Sequence, residues 1–207
     1  MKIAAIIPCY NEELTIKQVI CDIQKYCPKC EIYVFDNNSS DNSYNIAKET
    51  GAIVNKVSYQ GKGEVIRRAF ADIDSDIYIM VDADMQYDLS EINNFINYFT
   101  ENKLDMLNIS REVVDETVHR KGHSFGNMML TGFANFLFGK KFNDMLSGYR
   151  IFSKRFVKSF PANSRGFEIE TELTIYALQM RLPIDEVSAK YIKRPEGSHS
   201  KLNTFKD

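Results

Sequence analysis

Several signals that would settle function early are missing. No stretch reaches the ~20 consecutive apolar residues needed to cross a bilayer, and the nearest, Phe125 to Phe138, is short and interrupted by Asn127 and Asn135. The apolar run after Lys2 is cut by Pro8, Asn11, Glu12 and Glu13, so it does not read as a signal peptide. The four cysteines (Cys9, Cys21, Cys27 and Cys30) all fall in the first 30 of 207 residues, which excludes a disulfide framework for a chain of this size. Cys27-Pro28-Lys29-Cys30 has the spacing of redox and zinc sites. A structural zinc site needs two further ligands, however, and His119, His123 and His199 are remote in sequence. Reduced thiols between a helix and the next strand are the expectation. With 10 glycines, 5 prolines and no internal repeat or linker, the composition excludes fibrous and low-complexity classes. No G-x-G-x-x-G follows the first strand, which argues against a dinucleotide-dependent oxidoreductase, and the P-loop pattern is absent. Nor is there a dense Lys/Arg stripe interleaved with aromatics, so a nucleic-acid partner is not expected.

What is present suits one well-buried domain. The net charge of −2 divides into −7 over residues 1–110 and +5 over 111–207. A site that binds a cation beside phosphates would use such a split, although a chance distribution of solvated charge gives the same numbers.

The first half alternates strand and helix. Ile3 to Ile7 is a continuous apolar run stopped by Pro8, the pattern of a strand buried on both faces. Asn11 is placed to cap the next helix, with Glu12 and Glu13 in its first turn and Ile16, Val19, Ile20 and Ile23 on one face. Further strands are expected at 32–35, 53–57 and 77–81. Helices are expected after 41, after Gly61-Lys62-Gly63, and over Ile92 to Phe99. Four βα units in order imply an α/β fold with a mainly parallel sheet and helices on both faces. The second half reads as a strand at 104–110, an apolar helix at 125–138, a helix at 168–180 with Leu173, Tyr176, Ala177 and Met180 on one face, and a last strand at 184–192.

In such sheets ligands bind beyond the carboxyl ends of the strands, where this sequence places Tyr10-Asn11-Glu12, Asp36-Asn37-Asn38 and Asp82-Ala83-Asp84. Two carboxylates flanking a small residue at a strand end repel each other, and a hard divalent cation with oxygen ligands relieves that most readily. Gln86 adds another oxygen. An isolated D-x-D is often only a surface turn, but at the end of a central strand metal binding outweighs it. Asp36 offers an acceptor for a nucleobase N–H; a plain Asx-turn is the other reading of Asp36-Asn37-Asn38. Lys62, between two glycines near a helix N-terminus, is well placed for a phosphate.

These segments, in order, resemble glycosyltransferases of family 2: Ile7-Pro8-Cys9-Tyr10-Asn11-Glu12-Glu13, Asp36 to Asp41, Gly61-Lys62-Gly63 and Asp82-Ala83-Asp84-Met85-Gln86. Asp144-Met145-Leu146-Ser147-Gly148-Tyr149-Arg150, Gly166 to Glu172 and Arg194 to Leu202 resemble its polyprenyl-phosphate branch, which includes dolichol-phosphate mannose synthases and bacterial polyprenyl-phosphate glucosyltransferases. The resemblance spans Ile3 to Leu202. It implies a single-domain, Rossmann-like GT-A fold, with 1–110 the nucleotide-sugar and metal half and 111–207 the acceptor half. It further implies that Pro8, Tyr10, Glu12, Phe35, Asp36 and Asn37 hold the nucleotide, together with Lys62 and Ala83. Asp82, Asp84 and Gln86 would hold Mg2+ or Mn2+ against the diphosphate. Arg111 and Arg120 would face the reacting phosphates, and Arg194 and Lys201 would close over the site. Glu168 stands where mannose-transferring relatives tend to carry a basic residue, which favours a UDP-glucose-type donor. Relatives of this branch continue into membrane helices, so the chain is expected to be the catalytic part of a longer protein at the cytoplasmic face of a membrane, with homo-oligomerisation left open.

The implied reaction moves a hexose, with inversion, from a nucleoside diphosphate to a polyprenyl phosphate. A phosphate-monoester acceptor is largely ionised at neutral pH and needs little help from a base. It needs cations, and Arg111, Arg120, Arg150 and Lys201 are the candidates. Asp144 either orients the acceptor or pairs with Arg150 to brace a loop. The rival readings are a family 2 enzyme acting on a glycan hydroxyl, a nucleotidyltransferase, and a non-catalytic nucleotide-sugar module.

Overall fold

The computed structural model describes residues 1–113, 121–139 and 142–198. Strands β1 (Ile3–Cys9), β2 (Cys30–Asp36), β3 (Ile53–Lys56), β4 (Ile77–Met80), β5 (Met106–Val113), β6 (Arg150–Ser153) and β7 (Ile184–Tyr191) form one sheet in the order β3-β2-β1-β4-β6-β5-β7. All neighbours are parallel except at β6, which runs antiparallel to both β4 and β5. Helices α1 (Ile16–Tyr26), α2 (Ser43–Glu49), α3 (Lys62–Asp72), α4 (Ile92–Glu101), α5 (Lys121–Phe138), α6 (Lys154–Ser159) and α7 (Ile169–Gln179) cover its two faces.

Successive strand residues point to opposite sides of a sheet. Ala5 and Ile7 of β1 and Ile77 and Ile79 of β4 therefore join one core with α1, α2 and α4. Ala4, Ile6, Tyr78 and Met80 join the other, with α3, α6 and α7. Because both faces are covered there, the central strands β1 and β4 are apolar throughout instead of alternating. The stripes Ile16, Val19, Ile20, Ile23 on α1 and Ile92, Phe95, Ile96, Phe99 on α4 are buried as their spacing predicts. From β1 the chain steps outward through β2 and β3, then returns to the other side of β1 with β4. The crevice beyond the carboxyl ends of β1 and β4 is thus the point where strand order reverses, the usual ligand position in this architecture.

The structure corrects the sequence reading in four places. Helix α1 starts at Ile16, not after Asn11: Asn11 takes a positive φ of 52°, and Glu12 forms a separate turn whose carbonyl accepts from Thr15 N (3.1 Å) and Ile16 N (2.9 Å). The two acids thus lie outside the helix, which has none in its first turn. Strand β6 and helix α6 were not anticipated; they are short, and β6 opens on an arginine. The buried face of α7 is Ile169, Glu170, Leu173, Thr174, Ala177 and Leu178, whereas Met180 is exposed.

The fourth correction is Arg150, expected to face phosphates. It is fully buried. Its Nε donates to Ser147 O (2.9 Å), Nη1 to Thr174 Oγ1 (2.7 Å) and Nη2 to Met145 O (2.5 Å). Burial lowers its pKa from the ordinary arginine value. Here the guanidinium is a core brace that joins the 145–147 turn to α7. Arg150→Ala would leave those acceptors unpaired beside a cavity, at a cost of about 1–3 kcal/mol for each lost partner. Urea unfolding is expected to show a loss of at least about 3 kcal/mol in total.

Candidate active site

Strands β1, β2 and β4 are each followed by one non-glycine residue of positive φ: Asn11 (52°), Asn38 (63°) and Met85 (60°). Asparagine tolerates this region; methionine does so at a cost of roughly 1–2 kcal/mol. The reversal at Met85 brings Gln86 N back to Asp84 Oδ1 (3.1 Å) and sets Asp82, Asp84 and Gln86 around one crevice. The first two strand ends interlock: Asn11 Oδ1 accepts from Ser40 N (2.7 Å) and Ser39 Oγ from Asn11 N (3.0 Å).

Asp84 is buried, and that burial, followed by the charge of Asp82, pushes its pKa up to about 6. Arg194 opposes this with its Nη2 at 2.6 Å from Asp84 Oδ2. The same guanidinium donates through Nε to Gln86 Oε1 (2.9 Å) and through Nη1 to Glu12 Oε1 (3.2 Å). One side chain from beyond β7 thus ties the ends of β1 and β4 together. Lys62 is buried between Asp82 Oδ1 (2.5 Å) and Glu170 Oε1 (2.6 Å). Burial works to lower the lysine pKa, but the two carboxylates outweigh it and hold the ammonium above its ordinary value; Glu170 is itself raised, mainly by burial. Gly148 lies against the Asp82 carboxylate so closely that a Cβ there would overlap it. Gly61 and Gly63 meet the Ser164–Arg165 backbone in the same way, which fixes the start of α3.

On the other side of the crevice, Arg111 at the end of β5 grips Asp144 with two bonds, Nε to Oδ2 (2.6 Å) and Nη2 to Oδ1 (2.7 Å). Asp144 therefore pairs with Arg111 and not with Arg150. The Arg111 guanidinium lies 5.6 Å from the centroid of the Tyr191 ring, and Tyr191 packs on Tyr87.

Other expected residues sit differently. The Phe35 and Ala83 side chains are buried in the two cores, so neither presents a side-chain surface to a nucleotide. Asn37 spends its amide on the chain: Nδ2 donates to Val57 O (3.1 Å) and Tyr59 O (2.6 Å), and Oδ1 accepts from Gly61 N (2.7 Å). It braces the loop that presents Lys62. Pro8 is half-buried within β1, and Tyr10 is exposed at the rim. Asp36 is buried, and its Oδ1 has no hydrogen-bond partner among the described residues. Glu168 accepts from Arg165 N and Gly166 N, closing its own turn. Arg120 and Lys201 lie outside the described residues.

The family model described as Glycosyl transferase family 2 matches residues 4–160. This chain belongs to glycosyltransferase family 2. Protein RfbJ of Shigella flexneri is 48% identical over 122 residues, 58% of this chain and 95% of that protein. A protein of Methanococcus voltae named UDP-N-acetylglucosamine–dolichyl-phosphate N-acetylglucosaminyltransferase is 30% identical, covering 90% of this chain and 84% of its own length. Against two haloarchaeal relatives the chain spans only 66% and 51% of their length. Glucosyl-3-phosphoglycerate synthase of Mycobacterium tuberculosis, crystallised with Mn2+, UDP and glucosyl-3-phosphoglycerate, superposes with a TM-score of 0.74 at 22% identity, over 94% of this chain and 73% of that one. The fold of this family 2 chain is GT-A.

Among the described residues no three His, Cys, Asp or Glu side chains are grouped as a protein-only cation cage. The oxygens of Asp82, Asp84 and Gln86 make a partial set, which suits Mg2+ or Mn2+, since such ions commonly keep positions for water and substrate phosphates. Each of the three faces a side-chain donor already, Lys62 or Arg194, so the crevice is built to have positive charge at these oxygens.

The sequence reading missed Glu170, Gly148, Tyr87 and Tyr191. Only Glu170 carried a visible signal: at 170, 173, 174 and 177 it shares a helical face with buried residues, and a charged group on such a face needs a partner. Lys62→Met in this glycosyltransferase would leave Glu170 buried without its cation, at an expected cost of about 3–5 kcal/mol. Adding Glu170→Gln is expected to recover part of that loss, as measured by denaturant unfolding of the single and double variants.

Proposed function

We propose that this chain transfers a hexose, with inversion, from a nucleoside diphosphate sugar of the UDP-glucose type to a polyprenyl phosphate at the cytoplasmic face of a membrane. The observation that carries this reading is the meeting of two cation–carboxylate sets at one crevice. Lys62 and Arg194 lie with Asp82 and Asp84 on one side, and Arg111 lies with Asp144 on the other, a single tyrosine away. Such a site can hold two phosphate groups that repel each other. The name of the Methanococcus voltae relative pairs a UDP-sugar with a dolichyl phosphate, which supports the same pairing here.

On the donor side, the unpartnered Asp36 Oδ1 is an acceptor for a nucleobase N–H, and Lys62 and Arg194 would meet the diphosphate. A divalent cation held by Asp82, Asp84 and Gln86 would supply Lewis-acid stabilisation of the departing diphosphate. On the acceptor side Arg111 would hold the lipid phosphate, with Arg120 and Lys201 completing the cationic set. Both Asp144 oxygens are already engaged by Arg111, so its role is to orient that arginine. This favours a phosphate acceptor over a glycan hydroxyl, which needs a free base. Direct attack on the anomeric carbon inverts its configuration. Glu168, bound to its own turn, does not select the sugar from its side chain.

The lipid part of the acceptor has a counterpart in α5. Met129, Leu130, Phe133, Phe136 and Leu137 are exposed, Phe136 at 84%, and recur at helical spacing on one face. Thr131 and Ala134 are buried on the opposite side. Along the chain the helix lies between β5, which carries Arg111, and Asp144. In sequence, Arg120 precedes it, Lys121 opens it and Lys140-Lys141 follow it, the flanks expected of a helix lying on an anionic lipid surface. No described helix is long and apolar enough to cross a membrane.

Titration of UDP-glucose and of GDP-mannose by calorimetry, with and without Mn2+, tests the donor side. UDP-glucose is expected to bind in a Mn2+-dependent way that Asp84→Ala abolishes; binding that survives the substitution would sink the metal assignment. Flotation with phosphatidylglycerol-containing vesicles tests the lipid side. Phe133→Ser with Phe136→Ser is expected to reduce vesicle binding at least tenfold and leave the UDP-glucose titration unchanged. Equal flotation of both proteins would remove α5 from the membrane contact.

A further inference from the structure

We propose that Tyr191 is a positioning residue that holds the cation-binding side and the acceptor side of this site in register. It is the last residue of β7, paired with Val113 at the end of β5, and it also bridges to Tyr87 just beyond β4. Its hydroxyl donates to Gln86 Oε1 at 2.9 Å. Gln86 Nε2 donates in turn to Ile192 O (3.1 Å), and Gln86 O accepts from Ile192 N (2.8 Å). The amide is therefore held at both ends, and the bond to Ile192 fixes which end carries the oxygen. Without the hydroxyl, Oε1 loses one of its two donors and keeps only Arg194 Nε (2.9 Å), a longer side chain with more rotatable bonds than the tyrosine.

The opposite surface of Tyr191 serves the second half of the site. The Arg111 guanidinium carbon lies 5.6 Å from the ring centroid, within cation–π range, while Arg111 grips Asp144. The ring meets Tyr87 edge-on at 5.1 Å. Tyr87 OH is 2.9 Å from Ser147 Oγ and accepts from Gly148 N (3.1 Å), so the loop that carries Asp144 is fastened to the same aromatic pair. One side chain thus touches the Gln86 oxygen through its hydroxyl and Arg111 through its ring, with the hydroxyl also within reach of the Arg111 guanidinium.

The inference rests on Gln86 as a cation ligand and Arg111 as the acceptor-phosphate residue. Tyr191→Phe removes the hydroxyl alone, and Tyr191→Leu removes the ring as well. We would measure Mn2+ affinity in the presence of UDP from the electron paramagnetic resonance of free Mn2+. Affinity for farnesyl phosphate would be measured by calorimetry, and thermal stability alongside both. Tyr191→Phe is expected to weaken Mn2+ binding about tenfold, as loss of an outer-shell partner does, and to lower farnesyl phosphate affinity by much less, since the ring remains beside Arg111. Tyr191→Leu is expected to weaken Mn2+ to the same degree and farnesyl phosphate by about fivefold in addition. Unchanged Mn2+ affinity in Tyr191→Phe would overturn the proposal, as would parallel losses of both affinities and of Tm in the two variants. Gln86→Ala separates this from failure of the site reading. If it weakens Mn2+ binding and Tyr191→Phe does not, positioning by Tyr191 alone is wrong. If Gln86→Ala has no effect either, the cation assignment falls and the proposal with it.

Discussion

Three carboxylates from two strand ends, Glu12, Asp82 and Asp84, converge in a crevice to which water has little access. Each ionised group taken out of water costs several kcal/mol, and like charges add repulsion. Much of the surrounding structure answers that problem. Arg194 reaches across to both Glu12 and Asp84, and Lys62 is buried between Asp82 and Glu170. The glycines on either side of Lys62 let the start of α3 press on the 164–166 backbone, and Asn37 is spent on the loop before them. A chain with no need for negative charge at this point would have no reason to set two cations, one of them buried, beside it.

The second cation–carboxylate pair, Arg111 with Asp144, stands apart from the first in how it is built. Its partners come from the second half of the chain, and the aromatic residues Tyr87 and Tyr191 separate it from Gln86. In the proposed reaction the first set, fixed by strand ends, would serve the donor, and the second, carried on the segments after β5 and before β6, would serve the acceptor.

Much of this was legible before the structure. Ile3 to Ile7 announced a strand covered on both faces because every position is apolar, and the Ile92–Phe95–Ile96–Phe99 stripe announced α4; both are found. Asp82, Asp84, Gln86 and Arg194 do share one crevice. What failed was local geometry that composition does not carry. Asn11 looks like a helix cap, but the chain uses its tolerance of positive φ instead. Arg150 looks like a phosphate ligand because arginines usually face solvent or anions, yet its five N–H groups can also be satisfied by backbone carbonyls in a core. Phe35 lies next to Asp36 in sequence, but neighbours in a strand face opposite ways, so only one of the two can line the crevice. The helical face of Glu170 signals that it needs a partner, but that the partner is Lys62, 108 positions away, was beyond reach because nothing local links them.

The direction of β6 has a wider consequence. A parallel strand delivers the residues that follow it to the carboxyl edge of the sheet, whereas an antiparallel strand delivers the residues that precede it. The chain therefore leaves this edge after β5 and comes back to the same edge just before β6, at Asp144 to Gly148. Between them the described residues hold α5 and contribute no strand to the sheet. Such a segment can be lengthened, shortened or given a new surface chemistry while each strand keeps its neighbours and register. On the proposed reading, in which this segment meets the acceptor, variation in what the enzyme accepts and variation in what holds it together are uncoupled, so one catalytic frame could serve other acceptors by exchange of a single segment.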